Sequence, residues 1–489
     1  MGKCILKGVI LAFLAILAHC QNVTETSSNA VPNSYICELC KCENNNVNCS
    51  NKNITTFFTR EEWKGLKDYE PKIVDLSGNR FINVTVIAHL TIEVLNLSRC
   101  SIEFIEDASF KDLEELKVLD LSYNKLTKAK LSPHAFEGSF IPELFKSLAS
   151  LRTLNLAYND LHSLHPDLFE HVPKLEQLDL SGNPLTTIDH VTFIAMSGLP
   201  MLKVLRLRSC QLDEIPSKFL HTPRYLERLD ISDNLLTSVP QELKENEHLV
   251  YLNLNQNPIL QLDAGSDEYP GFPRLPKLQE LHMSYMPKLR RVGEGTLAGL
   301  ENIQKLHMSF NPALRHLHPK ALAKVHDVGE SYDWPVVKEL YLQSNNLFEV
   351  DSRLLSYWIF LEKVDVSGNS FSCNCDTQWM VDTLVPIVEN RGGNASLMVC
   401  QDPAEMQGYN MKKLHDDHYT MLCVDKYGQP LEKDGNILLG TLIGVLLAIP
   451  IMLILMLLWY RGCFACIGLC SPGGASHKSY KRANEEIIY

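Results

Sequence analysis

Positive charge is scarce. Among 489 residues, 46 Lys and Arg stand against 58 Asp and Glu, giving a net charge of -12, and the only basic run lies in the last residues. Nucleic-acid binding needs a basic face, so nucleic acid is excluded as a partner. Catalytic motifs are missing too: there is no nucleophile elbow, no phosphate loop and no pair of histidines at zinc-protease spacing. Gly293-Glu294-Gly295 lacks the strand-to-helix setting of a dinucleotide fingerprint. His415-Asp416-Asp417-His418 reads as a solvated segment. The chain is therefore expected not to be an enzyme and to carry no cofactor and no metal site.

Long apolar runs are also few. Residues 1–20 read as a secretory signal: Lys3 and Lys7 precede apolar Val9–Ala18, and Ala18-His19-Cys20 is a cleavage site that leaves Gln21 first. That run is too short to span a bilayer. Residues 437–460 are free of charge and long enough to span with some tilt. Arg461 follows, and the tail at 461–489 carries Lys478, Lys481 and Arg482. Positive-inside logic places that tail in the cytoplasm. The tail ends polar, unlike the apolar tail removed on attachment of a lipid anchor. The expected topology is single-pass type I at the plasma membrane, N-terminus outside, with membrane lipid as a partner.

Cysteine is not scarce. Of 15 cysteines, Cys37, Cys40, Cys42 and Cys49 cluster early, and Cys373, Cys375, Cys400 and Cys423 cluster late. Even sets outside the cell imply disulfides; a zinc site at the first cluster conflicts with compartment and crowding. Sequence alone allows three connectivities in each cluster.

Between the clusters a phrase recurs: apolar, two variable, apolar, one variable, apolar, two variable, then Asn or Cys. Leu116–Asn124 reads LKVLDLSYN and Leu175–Asn183 reads LEQLDLSGN. About twelve copies close on Asn79, Cys100, Asn124, Asn159, Asn183, Cys210, Asn234, Asn257, Met286, Asn311, Asn345 and Asn369, typically near 24 residues apart. Strand alternation sends the apolar positions inward. Asn, or Cys in its place, serves backbone groups of the turn that follows. Cys100 and Cys210 are four repeats apart, roughly 20 Å at about 5 Å per strand, so they cannot bond and should be buried thiols. Phe110, Phe136, Phe169, Phe193 and Phe219 are expected to stack in the outer half of the core.

This phrase is similar to the leucine-rich repeat. The C-x2-C-x-C-x6-C start and the N-x3-C-N-C-x3-W segment (Asn369, Cys373, Cys375, Trp379) resemble the flanking caps of animal extracellular leucine-rich repeat proteins, a family that includes Slit, Toll ectodomains, small proteoglycans and trophoblast glycoprotein. The resemblance covers roughly residues 37–423. It implies an α/β solenoid, a horseshoe with disulfide caps, followed here by one transmembrane helix. It also implies the pairs Cys37–Cys42, Cys40–Cys49, Cys373–Cys400 and Cys375–Cys423. The expected organisation is signal peptide 1–20, N-terminal segment 21–36, N-cap 37–70, repeats 71–371, C-cap 372–423, linker 424–436, helix 437–460 and tail 461–489. No Toll-type signalling domain and no immunoglobulin unit is recognised, so the chain resembles the plain single-pass subgroup.

Variable strand positions form the concave face. Between the second and third apolar residues stand Asp75, Asn96, Asp120, Asn155, Asp179, Arg206, Asp230, Asn253, His282, His307, Tyr341 and Asp365. Asp or Asn there is background for the family. Arg206 and Arg208, with Arg228, Tyr251, His282, His307 and Tyr341, depart from it and use residue types common at hot spots. They are the expected ligand-binding residues. Wide spacings after Asn124, Asn257 and Asn311 imply insertions. Tyr269–Pro276 reads as a stiff loop and His326–Trp334 as the better contact loop. Sequons stand at Asn22, Asn48, Asn53, Asn83, Asn96 and Asn394; a glycan on Asn96 would shield the N-terminal concavity. Gly440, Gly444 and Ala448 have the small-residue spacing of a homodimer contact. Cys463, Cys466 and Cys470 are placed for palmitoylation, and Ile487–Tyr489 for capture by a PDZ scaffold. The reading is a surface protein whose concave face binds an extracellular or cell-surface protein, as adhesion molecule or receptor. The alternatives are a cis-acting co-receptor or inhibitor, and innate immune pattern recognition.

Overall fold

The computed structural model describes residues 34–142, 144–265, 270–325, 332–357, 360–421, 423 and 434–460. The chain divides into two compact units, Met1–Thr420 and Met421–Tyr489. The signal segment 1–20, Asn22, most of the loop His326–Trp334, most of the linker 424–436 and the tail with Cys463, Cys466, Cys470 and Ile487–Tyr489 lie outside the described residues.

The first unit is built on one fourteen-stranded sheet. An antiparallel pair, Lys41–Glu43 with Asn46–Asn48, starts it. Asn46–Asn48 then runs parallel to Ile73–Asp75. From there twelve three-residue strands follow in parallel, ending at Lys363–Asp365. The central residue of each is buried, as Leu95, Leu119 and Leu229 show. The apolar residues before and after it, such as Leu116 and Leu121, are buried as well. One stripe of three inward positions per repeat thus supplies a continuous core, and each repeat buries it only against its neighbours.

Two local devices recur and explain why the phrase is fixed. The residue before each closing position is left-handed in all twelve repeats: Gly78, Arg99, Tyr123, Tyr158, Gly182, Ser209, Asp233, Gln256, Tyr285, Phe310, Ser344 and Gly368 all have positive φ. Such a backbone is strained for a side chain with Cβ, and a buried hydrogen-bond ladder holds it. Asn124 Nδ2 donates to the carbonyls of Leu97 and Leu121 at 3.0 and 2.9 Å. Its Oδ1 accepts the N–H groups of Cys100 and Ile102. Where Cys replaces Asn, the thiol donates instead: Cys100 Sγ lies 3.1 Å from the Leu76 carbonyl. Cys100 and Cys210 are buried and free. Burial pushes their thiols up to about 11 and about 12, respectively, so neither offers a thiolate at neutral pH.

The outer side carries short elements, including a parallel trio, Gln261–Leu262, Arg291–Val292 and His316–Leu317. Phe110, Phe136, Phe169 and Phe219 are buried there. Phe193 is only half-buried: it sits on the helix His190–Ser197, whose buried residues are Thr192, Ala195 and Met196.

Both ends of the sheet are covered. At the start, Trp63 is fully buried among Phe57 and Phe58, and disulfides join Cys37 to Cys42 and Cys40 to Cys49. At the finish, the carbonyls of Arg391 and Leu397 accept the Val364 and Gly368 N–H groups at 3.4 and 3.0 Å. A disulfide joins Cys373 to Cys400, and Cys375 and Cys423 are each disulfide-bonded. An uncovered strand edge and core end would invite pairing with another chain.

In the second unit one helix, Asp434–Tyr460, contains a span, Leu439–Leu457, long and apolar enough to cross a membrane. Pro450 lies inside it.

Candidate functional site

The acidic row on the sheet face has a structural job. In eight repeats the Asp or Asn side chain accepts the N–H two residues on, at 2.8–3.0 Å, as Asp75 does from Ser77 and Asp365 from Ser367. These side chains fold back onto their own turns.

Four repeats break the rule: Arg206, His282, His307 and Tyr341 occupy that slot. In three of them a polar side chain of the preceding repeat takes over the N–H. Ser181 Oγ accepts from Arg208 at 3.2 Å, Asn255 Oδ1 from Ser284 at 2.6 Å, and Ser284 Oγ from Ser309 at 3.0 Å. The displaced slot is then free to carry a large side chain on the open face.

Three of them, His282, His307 and Tyr341, join Arg228 and Tyr251, which stand two residues before Asp230 and Asn253, in one column across adjacent strands. The Arg228 guanidinium sits over the Tyr251 ring, 4.0 Å from its centre. Tyr251 and His282 lie 5.2 Å apart and tilted. His282 and His307 stack at 4.2 Å, and His307 and Tyr341 stack at 4.6 Å. Strand register explains the stacking, because His282 pairs with His307 and His307 with Tyr341. A ring pair contributes about 0.5–1.5 kcal/mol beyond its buried area, which orders the column before any partner arrives. Arg206 pairs in register with Asp230 at its upstream end. Arg208 is two residues further on, with its Nε buried and lacking a hydrogen-bond partner.

The electrostatics follow from partial burial. Burial, with His282 next, takes the His307 imidazole down to about 4, so it is neutral at physiological pH. Burial, then Asp230, pushes Tyr251 up to about 12. Burial and the hydrogen bond to Glu339 do the same to Tyr341. The His282 hydrogen bond holds the Glu280 carboxyl below its ordinary range; His282 Nε2 and Glu280 Oε1 are 2.7 Å apart.

All seven expected ligand-binding residues are thus brought to one face, and five of them form the column. Sequence reasoning missed Glu280 and Glu339, which brace it. Their signal was available: each lies two residues before a column residue, on the same face of its strand. It also missed a second column at the strand ends, where Arg99 lies 3.9 Å from the centre of the Tyr123 ring and Tyr123 stacks on Tyr158 at 4.4 Å. Tyr158 in turn lies against Gly182, where a Cβ would meet its ring at 2.4 Å.

The other expected positions are spread over the surface. Asn48, Asn53, Asn83 and Asn394 are exposed. Asn96 is half-buried, with Oδ1 accepting the Ser98 N–H. The segment after Tyr269 is packed: Phe272 and Leu275 are buried, and their N–H groups donate to Thr296 and Gly299. Gly440, Gly444 and Ala448 lie on the apolar helix.

A family described as leucine rich repeat matches residues 91–139, 140–185 and 200–259. Leucine-rich repeats therefore make up this part of the chain, which is similar to animal extracellular proteins. Bovine (Bos taurus) keratocan is 31% identical over 202 residues, 41% of this chain and 51% of keratocan. Tsukushi of Gallus gallus is 29% identical over 253 residues, 47% of this chain and 64% of Tsukushi. The CD180 antigen of Mus musculus is 27% identical over 202 residues, 41% of this chain and 29% of CD180. The chain therefore spans less than two thirds of each of these relatives. A solved leucine-rich repeat protein of Leptospira interrogans covers 69% of this chain and is itself covered to 86%, at 22% identity and a TM-score of 0.41.

Proposed function

We propose that this leucine-rich repeat protein is a single-pass type I protein of the cell surface that binds a protein partner on its concave face, as adhesion molecule or receptor. The contact residues are Arg206, Arg208, Arg228, Tyr251, His282, His307 and Tyr341. One observation carries the reading. A pre-stacked cationic and aromatic column crosses these repeats, and its members His282, His307 and Tyr341 occupy the slot that holds a turn-bonding Asp or Asn in eight other repeats. Rigid aromatic and arginine side chains are the usual anchors of protein interfaces.

Several features support the rest of the assembly. Exposed sequons at Asn48, Asn53, Asn83 and Asn394 suit glycosylation, as Asn22 and Asn96 do by motif. A glycan on Asn96 would shield the upstream strands and leave the column open. Cys463, Cys466 and Cys470 are proposed palmitoylation sites, and Ile487–Tyr489 a PDZ ligand.

A second reading, a co-receptor acting in cis, draws on the span. Gly440, Gly444 and Ala448 recur at four-residue spacing on this helix, an interval of small residues that lets a second helix approach closely.

The test displays the full chain on cells and screens it against multimerised cell-surface and secreted proteins. We expect a saturable partner whose affinity falls at least tenfold on Arg206→Glu with Arg208→Glu, at unchanged surface level. Unchanged affinity removes the column from the interface. Aggregation of expressing cells favours adhesion; an altered response to the ligand without aggregation favours the co-receptor.

A further inference from the structure

The column also holds a set of donor atoms that protein recognition does not require. Glu280 and His282 share one face of the strand Glu280–His282, and His307 stands beside them on the next strand, in register with His282. One donor atom from each of the three lies within 4.8 Å of the others. His282 Nε2 already contacts Glu280 Oε1 at 2.7 Å. His307 Nε2 is buried and has no hydrogen-bond partner. A buried polar atom without a partner costs about 1–3 kcal/mol and asks for an explanation, of which a bound ion is one.

We propose that Glu280, His282 and His307 bind one divalent transition-metal ion of the zinc type on the concave face. Two imidazoles and a carboxylate are a zinc donor set, used with a fourth position left open. Calcium and magnesium select oxygen donors and do not fit a site with two imidazoles. Tetrahedral bonds of about 2.0–2.1 Å place donors roughly 3.4 Å apart, so donors up to 4.8 Å apart must close by up to about 1.4 Å, while His282 Nε2 and Glu280 Oε1, at 2.7 Å, must part by about 0.7 Å. The rings supply that movement. His282 and His307 are stacked with their planes 4° apart, so their in-plane nitrogens run parallel, and rotation of one imidazole about its Cβ–Cγ bond turns its nitrogen toward a common point. Lys305, whose charge acts on both Glu280 and His307, is also paired with Glu339, 3.8 Å away. The open fourth position then admits water or a carboxylate or imidazole from outside.

This site does not depend on the partner reading, because the metal alone tests it. The experiment takes the detergent-solubilised full chain at pH 7.5 and titrates zinc in competition with a chromophoric chelator. We expect one ion per chain at this site, with affinity lowered at least tenfold by Glu280→Gln and by His307→Gln, and no competition from millimolar calcium or magnesium. The variant His415→Gln with His418→Gln leaves that affinity unchanged. Wild-type stoichiometry and affinity in both column variants overturn the proposal, as does loss of binding in the His415 and His418 variant instead. If His307→Gln fails to give a cooperative thermal transition, His282→Gln and Glu280→Gln decide. Loss of partner binding in the Arg206 and Arg208 reversal, with zinc binding intact, separates the two sites.

Discussion

At the scale of the residue, Asn124 shows why the closing position admits so few side chains. It serves the Cys100 and Ile102 N–H groups and the Leu97 carbonyl, which sit in the buried interval between two repeats. Asn124→Ala strips all three, whereas Leu121 keeps a second donor in Asn159. Each unsatisfied buried group costs about 1–3 kcal/mol, so the variant should lose about 3 kcal/mol or more, read as a lower thermal midpoint. Asn83→Ala, at an exposed position, should stay within about 0.5 kcal/mol of wild type. Equal midpoints for the two variants would contradict the ladder. The same logic divides the sheet face. Asp at the variable slot is turn chemistry, and in the Arg206, His282 and His307 repeats a neighbouring Ser or Asn assumes that duty.

At the scale of the element, the outer loops are tied across repeats by charge. Glu301 lies 3.0 Å from Arg274 Nε and 2.9 Å from Lys324 Nζ. Hydrogen bonds from Arg274 first and Lys324 second take its carboxyl from 4.5 down to about 2. A carboxyl lowered on folding contributes stability above its unfolded pKa, and that contribution is lost as pH falls through the folded value. Wild type should therefore exceed Glu301→Gln in thermal midpoint above pH 5, and the gap should close between about pH 4.5 and 2. Arg274 is largely exposed, so the gap is small, within the roughly 0–1 kcal/mol of surface pairs. A gap that does not change with pH would remove the ion pairs as its cause. Sequence was a good guide to the strands and a poor one to these loops. Twelve strands were legible because a fixed period repeats the same inward stripe. The long spacings were legible only as insertions. Two of them prove to hold β-hairpins, Glu137–Ile141 with Leu144–Ser147 and Lys324–Val325 with Tyr332–Asp333. The third packs Phe272 and Leu275 inward. The column was legible because its slot is fixed by the phrase. The Glu280, His282 and His307 donor set was not, because it draws on two repeats, His307 lying one strand on from the other two.

At the scale of the whole molecule, a solenoid is a chain of nearest-neighbour interfaces, so its ends set where it opens. The C-terminal cap closes the last repeat through backbone hydrogen bonds to Val364 and Gly368, and the Cys373–Cys400 disulfide closes a loop of sequence separation 27 within it. Chain-entropy arguments give such a cross-link roughly 3–4 kcal/mol. Replacing both cysteines by Ser should release that end first. Hydrogen exchange should then rise in Lys363–Asp365 and next in Glu339–Tyr341, while Ile73–Asp75, held beside the N-terminal disulfides, keeps its protection. The gradient matters for function, since Tyr341 and His307 lie on the second and third strands from the released end. Partner binding should weaken before the upstream repeats open. A uniform loss of protection along all twelve strands would instead show that the repeats unfold as one unit and that the cap stabilises the whole solenoid.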